Sequence, residues 1–340
     1  MTEALASRRP PDAEPDEVLL PPDIRPGLVD RDRVGREIRL GGSTMGTDWT
    51  LTAYVAPSLE EGPVTSAVEG AFDRIIGQMS QWEPASKLSR FNHAAPGTSF
   101  NLPREFAYVL DCALQIARAT GGAFDPAIGR ASEMWGFGAN AAPSSPPGEQ
   151  NLADARRYDW RDVRLAADGR TLMQPGGLHL DFSGIAKGFA VDLALHQLRD
   201  LGIADALLEI GGEFRGVGLR ADGLPWWVDI ERPPLGSAPS ARVGLTGWAI
   251  ATSGNYRRRR GAPGKSWPHT IAPRTSMPVD DILSVSVLHR QCMQADALAT
   301  ALIVLGPQAG RAFADENAIP MRMVLPHETV VSAAWRRWLN

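Results

Sequence analysis

The run DFSGIAKGFAVD at residues 181–192 brings together an acid (Asp181), a turn of small residues (Ser183, Gly184) and a lysine (Lys187) at the start of an apolar-periodic stretch. A carboxylate, exposed backbone amides at a helix N-terminus and an ammonium so close in sequence are the parts needed to hold a phosphorylated ligand. Farther along, in QADALATALIVLG (294–306), Asp296 and Thr300 are spaced i,i+4 and share one helix face, with small Ala297 and Ala299 between them. A carboxylate, a hydroxyl and nearby carbonyls are hard oxygen donors, which suit Mg²⁺ when a phosphate completes the shell. Taken alone, the pair reads as an acid complementing a helix dipole beside a core-facing threonine.

Other segments carry chemistry less distinctly. GGAFDPAIG (121–129) is a tight turn able to present Asp125 and backbone groups to a ligand, or an ordinary Gly–Asp–Pro turn. His269, in SWPHTIAPRTSMP (266–278), is a base near neutral pH or a structural loop histidine. Met45 and Trp82 can sandwich a flat ring system, or belong to the core. Ser253 has no histidine and acid in triad order, so it is not read as a nucleophile. Residues 216–221 (GVGLRA) satisfy a dinucleotide fingerprint, yet a turn and a strand follow where that fold needs a helix. GGEF at 211–214 reads as a chance match to diguanylate cyclases, and the arginine run 257–260 as a solvated loop tip.

These groups need a framework, and the periodicity supplies one. Alternation over 49–55 predicts a strand, and further strands are expected at 206–210, 226–231, 247–252 and 283–288. Helices are expected where apolar residues recur at three and four: Val64 to Met79, Phe106 to Ala117 with a stop at Gly121-Gly122, from Ala186 onward, and Ala295 to Leu305. Residues 139–150 read as a loop. Runs of strands with few intervening helices predict an α+β fold of mostly antiparallel sheets packed with helices.

The proline-rich, acidic start predicts a flexible tail over 1–36, with one ordered unit over 37–340. That start has no apolar signal core and no stretch reads as a membrane span, so cytoplasmic residence without a membrane partner is the expectation. A net charge of −4 gives no electrostatic case for nucleic acid. Cys112 and Cys292 stand far apart without CxxC spacing and read as buried, inert thiols.

Taken together and in order, the segments resemble the FAD:protein FMN transferase family (the ApbE type). The matching motifs are MGT (45–47), S-x-L-S-R-F-N (86–92), GGAFDPAIG, DFSGIAKGFAVD, IGGEFRGVG (210–218), IATSGNYRR (250–258), HTIAPRTSMP (269–278) and ADALATALIVLG (295–306). The resemblance implies a two-lobed α+β enzyme that takes FAD as substrate with Mg²⁺. It would move the FMN portion onto a threonine or serine hydroxyl of an acceptor flavoprotein and release AMP. It places flavin contacts on Met45, Trp82, Ala123, Phe124, Asp125, Asp181, Lys187 and Ile271. The metal falls on Asp296, Thr300 and the carbonyls of Gly184 and Ala299. His269, with Asp181 and Lys187, would be catalytic, the histidine assisting proton removal from the acceptor hydroxyl. The chain departs from the family pattern at Ala272, where an acid is usual, and at Ser276, where glycine is usual. Two rivals share the same grip on the ligand: an FAD pyrophosphatase giving FMN and AMP, and a non-catalytic FAD carrier.

Overall fold

The computed structural model describes residues 15–23, 35–140, 143, 145–262 and 264–339. In chain order a short strand β1 (Glu17–Leu19) is followed by a long hairpin, β2 (Arg36–Thr44) and β3 (Thr47–Val55). Helices α1 (Glu61–Met79) and α2 (Lys87–Asn92), strand β4 (Ser99–Asn101) and helices α3 (Arg104–Ala119), α4 (Gly129–Met134) and α5 (Glu149–Ala155) come next. Strand β5 (Thr171–Met173) leads to α6 (Ala186–Asp200), then to β6 (Asp205–Ile210), β7 (Glu213–Val217), β8 (Trp226–Ile230), β9 (Ala241–Leu245) and β10 (Trp248–Gly254). Two small hairpins, β11 (Arg259–Ala262) with β12 (Lys265–Pro268) and β13 (Ile271–Ala272) with β14 (Met277–Pro278), precede β15 (Ser284–His289). The chain closes with α7 (Cys292–Glu316), β16 (Met321–Val324), β17 (Thr329–Val331) and α8 (Ala333–Arg336).

Eight strands form one antiparallel sheet in the order β17-β16-β15-β10-β7-β6-β3-β2. Its two faces follow from strand alternation, because successive side chains point to opposite sides. Ala249 and Ala251 of β10, Val285 and Val287 of β15, and Ala206, Leu208 and Ile210 of β6 join the core shared with the helices. Ile250, Leu288 and Leu207 point the other way, into a second core with Trp226, Val243, Trp335 and Trp338. That second face is covered by a three-stranded sheet, β1-β9-β8. The result is the α+β arrangement with mostly antiparallel pairing that the pattern predicted. A third, small core of Ala131, Trp135, Ala155, Trp267 and Ile271 ties α4 and α5 to the β12–β13 region.

Local sequence accounts for most elements. Helix α1 buries Val64, Val68, Ala71, Phe72, Ile75 and Met79, the spacing of one helical face. Helix α3 stops at Gly121 and Gly122, both with positive φ, and Gly122 N–H closes the end on the Ala117 carbonyl at 2.7 Å. Both cysteines are buried and free, and burial pushes the Cys112 thiol up to about 12.

Four expectations need correction. Residues 15–23, read as tail, include β1, which pairs in parallel with β9 and buries Leu19 completely. Three residues are too few to show a period, so proline and charge masked the strand. The rest of the expected tail, 1–14 and 24–34, lies outside the described residues, as do Ala141, Ala142 and Ser144 of the expected loop. That loop gives way to α5 at Glu149. The final helix does break where expected, after Leu305, at Gly306 (φ 78°), but a second helical segment that the pattern did not show resumes through Pro307 to Glu316. Proline fits the first turn of the resumed segment, where its missing N–H has no partner to lose. Counted across that break, Cys292–Glu316 has the length and apolar composition of a membrane span, which the reading of the sequence found nowhere. Its apolar residues, Leu298, Leu302 and Ile303 among them, are buried in the main core. Finally, the arginine run is exposed, as a solvated tip would be, but it is not confined to a loop, because Arg259 and Arg260 open β11. Arg257 pairs with Glu231, Arg259 forks onto Asp280 at 2.6 and 2.9 Å, and Arg260 donates to the Gly136 carbonyl.

Candidate active site

The 181–192 run is held from below by α2. Ser86 caps that helix by accepting from Ser89 N–H, and both serines donate to the Ser80 carbonyl. At the far end Asn92 accepts from Leu180 N–H at 2.8 Å and donates to the Leu180 carbonyl at 2.9 Å, so one side chain fixes both backbone groups. Asp181 N–H then donates to the Pro126 carbonyl, which joins the glycine-rich turn to the start of α6. The Asp181 carboxylate is buried and accepts from Ser183 N–H at 2.7 Å and from the Gln81 amide at 3.4 Å. Gln81 also donates to Ser183 Oγ. Beside it Trp82 is 52% exposed, an open aromatic face.

Three elements converge at Gly184. A Cβ there would lie 3.0 Å from Thr300 Oγ1 and 3.4 Å from Phe124 Cε2, so the α6 entry, α7 and the 121–129 turn touch at a residue without a side chain. Thr300 Oγ1 is 3.1 Å from Ser253 Oγ on β10. One turn earlier on α7, Asp296 is 3% exposed and its Oδ2 accepts from Gly188 N–H at 3.1 Å. That approach requires Gly188, since a Cβ would fall 2.4 Å from the Cys292 carbonyl oxygen. Ala295, Ala297 and Ala299 are fully buried around it.

Lys187 reaches across to Glu213 on β7, with Nζ 2.5 Å from Oε2. Burial opposes the lysine's charge, but the Glu213 and Asp296 carboxylates outweigh it and raise its pKa. Burial pushes both carboxyls upward, with Lys187 pulling back. The start of α7 is fixed from another helix: Asp192 of α6 accepts from Cys292 and Met293 N–H at 3.0 Å each and pairs with Arg215 at 2.6 Å. Gln291, the residue at the N-cap position, makes no side-chain cap of its own.

Asp125 is buried, accepts from Ala127 and Trp160 N–H, and is pushed by burial up to about 7. Burial, with repulsion from Arg258, holds His269 down at about 4, so its imidazole is neutral at pH 7. Its Nδ1 is enclosed without a hydrogen-bond partner among the described residues. The charges of both Asp181 and Lys187 are felt at the ring, which puts His269 beside the α6 entry. Ile271 is buried in the small third core. Met45 sits at the tip of the β2–β3 hairpin with φ 48°, a strained backbone for a residue with a side chain.

Among the described residues there is no group of three or more His, Cys, Asp or Glu able to hold a metal. A cation here would depend on one carboxylate with hydroxyl and carbonyl oxygens. The residues present fit such an ion: two buried carboxylates face one ammonium, beside the Thr300 hydroxyl and the close Gly184 backbone. The sequence reading missed Glu213, Asp192, Gln81, Ser253 and Arg258. Glu213 stood inside the GGEF string set aside as coincidence, and Arg258 inside the supposed loop tip, where it now lends its charge to His269 and Lys187. The two departures also acquire structure. Ala272 lies on β13, and Ser276 adopts φ 55° with its side chain buried and its Oγ unpartnered among the described residues, which explains a preference for glycine there.

Comparison with known proteins agrees with this geometry. The sequence model of the ApbE family matches residues 45–323. An FAD:protein FMN transferase of Vibrio cholerae is 34% identical over 302 residues, covering 88% of this chain and 90% of that protein. The crystal structure of the Pseudomonas stutzeri flavinyl transferase ApbE, apo form, superposes with a TM-score of 0.82 at 29% identity, over 89% of this chain and 97% of that one. The flavin transferase ApbE of Vibrio cholerae gives a TM-score of 0.81 at 31% identity, over 90% and 100%. Motif order, the convergence at Gly184 and these similarities agree: the chain belongs to the ApbE family.

Proposed function

We propose that this protein is an FAD:protein FMN transferase, which moves FMN from FAD onto a threonine or serine hydroxyl of an acceptor flavoprotein and releases AMP. The observation that carries this reading is the meeting of Gly184, Thr300 and Phe124, with the buried Asp296 one helical turn away on α7. Backbone at a helix start, hard oxygen donors and an aromatic wall are the parts that gripping a flavin dinucleotide's diphosphate calls for.

Lys187, held charged by Glu213 and Asp296, offers an ammonium to the diphosphate oxygens. Asp296, Thr300 and the carbonyls of Gly184 and Ala299 would hold Mg²⁺, which when bound supplies charge neutralisation on the diphosphate. Asp181, Asp125, Ala123, Phe124, Ile271, Met45 and Trp82 form the flavin's surroundings, with half-exposed Trp82 free to stack on a planar ring. The acceptor hydroxyl oxygen forms a bond to the phosphorus of the FMN half, and the anhydride bond to AMP breaks. AMP leaves with the bridging oxygen, and His269, neutral at pH 7, takes the hydroxyl proton.

Transfer requires the hydroxyl to outcompete water, and orienting a bound nucleophile contributes up to roughly 7–11 kcal/mol in well-positioned systems. Incubation with FAD, Mg²⁺ and a flavoprotein acceptor, followed by mass spectrometry, tests the reading. An FMN adduct on the acceptor supports it. Free FMN and AMP without an adduct would make the protein a pyrophosphatase, and unchanged FAD a carrier.

A further inference from the structure

We infer that Glu213 is a positioning residue for the cation site: by engaging Lys187 it keeps the Asp296 carboxylate free to take a divalent metal. The inference rests on the metal reading above and adds a residue to it. Three ionisable side chains from three elements share one wall: Glu213 of β7 and Asp296 of α7 are buried, and Lys187 of α6 is partly buried beside them. The ammonium sits 2.5 Å from Glu213 Oε2 and makes no ion pair within 4.0 Å with Asp296. Asp296 is instead held by a backbone N–H, from Gly188 at 3.1 Å.

This division of partners matters because an ammonium and a metal ion compete for the same carboxylate. A buried carboxylate already paired with lysine would have to break that pair before it could coordinate anything. With Glu213 taking the lysine, one ammonium faces two carboxylates and the unbalanced negative charge falls at Asp296. The backbone holds Glu213 in place. It opens β7 directly after the turn Gly211-Gly212, whose φ values are 58° and 105°, and it faces Ile210 across the hairpin. The turn is wedged against β3, where a Cβ on Gly211 would meet Thr47 Cγ2 at 2.7 Å, and Gly212 N–H is tied to Glu209 Oε1. Glu213 therefore has little freedom to follow the lysine if Lys187 swings toward Asp296.

The test is Mn²⁺ binding to the purified full-length protein without FAD, read by electron paramagnetic resonance and calorimetry, beside a thermal melt. Glu213→Gln is expected to raise the Mn²⁺ dissociation constant by roughly tenfold or more, because the freed ammonium turns to Asp296. Removing the competitor as well, in E213Q/K187M, should restore binding to within about threefold of wild type. Should E213Q fail to fold, the double variant alone decides by the same threshold. Wild-type affinity in E213Q, or a double variant that binds as weakly as the single one, would overturn the inference while leaving the metal site standing. A wild-type protein that binds no Mn²⁺ would overturn the metal reading itself and this inference with it.

Discussion

Two regions meet at the site and are built on different principles. The α6–α7–β7 wall carries Lys187, Glu213, Asp296 and Thr300 on regular elements, packed so closely that any side chain at Gly188 would clash with the Cys292 carbonyl. The opposite rim is made of turns and short hairpins: Met45 at a strained tip, half-exposed Trp82, and His269 between β12 and β13 over a small separate core. The wall concentrates buried charge at fixed positions, which suits gripping a diphosphate. The rim is built from loops and short hairpins, with Trp82 open to solvent while His269 is enclosed. On the proposed reading, the grip on the diphosphate is electrostatic and set on regular elements, whereas the transfer step would depend on loop residues.

Variants can sharpen that contrast. The largest effect is expected in the wall: Asp296→Asn should lower metal-dependent transfer by roughly a hundredfold or more. Because burial raises the Asp296 pKa in the fold, its ionised form is destabilising above the ordinary carboxyl range, and stability is lost as pH rises. The same variant should therefore melt higher than wild type at pH 7, and full activity with unchanged Mg²⁺ dependence would remove Asp296 from the metal site.

In the rim, His269→Gln should slow transfer by roughly a hundredfold or more while FAD affinity, measured by fluorescence quenching, stays near wild type. Its pH signature is separate. A histidine depressed to about 4 stabilises the fold fully above its unfolded value near 6.5 and loses that contribution as pH falls between the two. Wild type should thus lose about 3 kcal/mol more than H269Q between pH 7 and pH 4 in chemical denaturation, and parallel profiles would refute the assignment.

Next in size is Asp192→Asn, which strips the charge from two α7 amides and leaves Arg215 without its buried partner. A loss of about 3 kcal/mol is expected, together with a weaker Mg²⁺ requirement curve, since α7 carries Asp296. A loss of stability with an unmoved curve would separate the helix anchor from the site. The smallest effect is a gain. Ser276→Gly relieves a left-handed backbone and removes an unpaired buried hydroxyl, so it should add about 1 kcal/mol. An unchanged or lower melting temperature would show that Ser276 is better accommodated than its φ implies.

Much of this molecule was written locally. The period of Val64 to Met79 gave α1, the alternation of 49–55 gave β3, and Gly121-Gly122 marked the end of α3, because each depends on neighbours within a turn or two. Motif order was enough to point at the flavin-transferring family and at Asp181, Lys187, Asp296 and Thr300. Short or interrupted elements were not legible: β1 is too brief to repeat, and the Gly306–Pro307 break concealed the second half of α7.

What the chain alone determined was which residue types and local turns were present. The tertiary structure decided which charges became partners. Lys187 and Glu213 lie far apart in sequence, as do Asp192 and the α7 amides, and Asn92 and Leu180. The two charged pairings depend on the sheet bringing β7 beneath α6 and α7, and on burial making an unpaired charge too costly to leave alone.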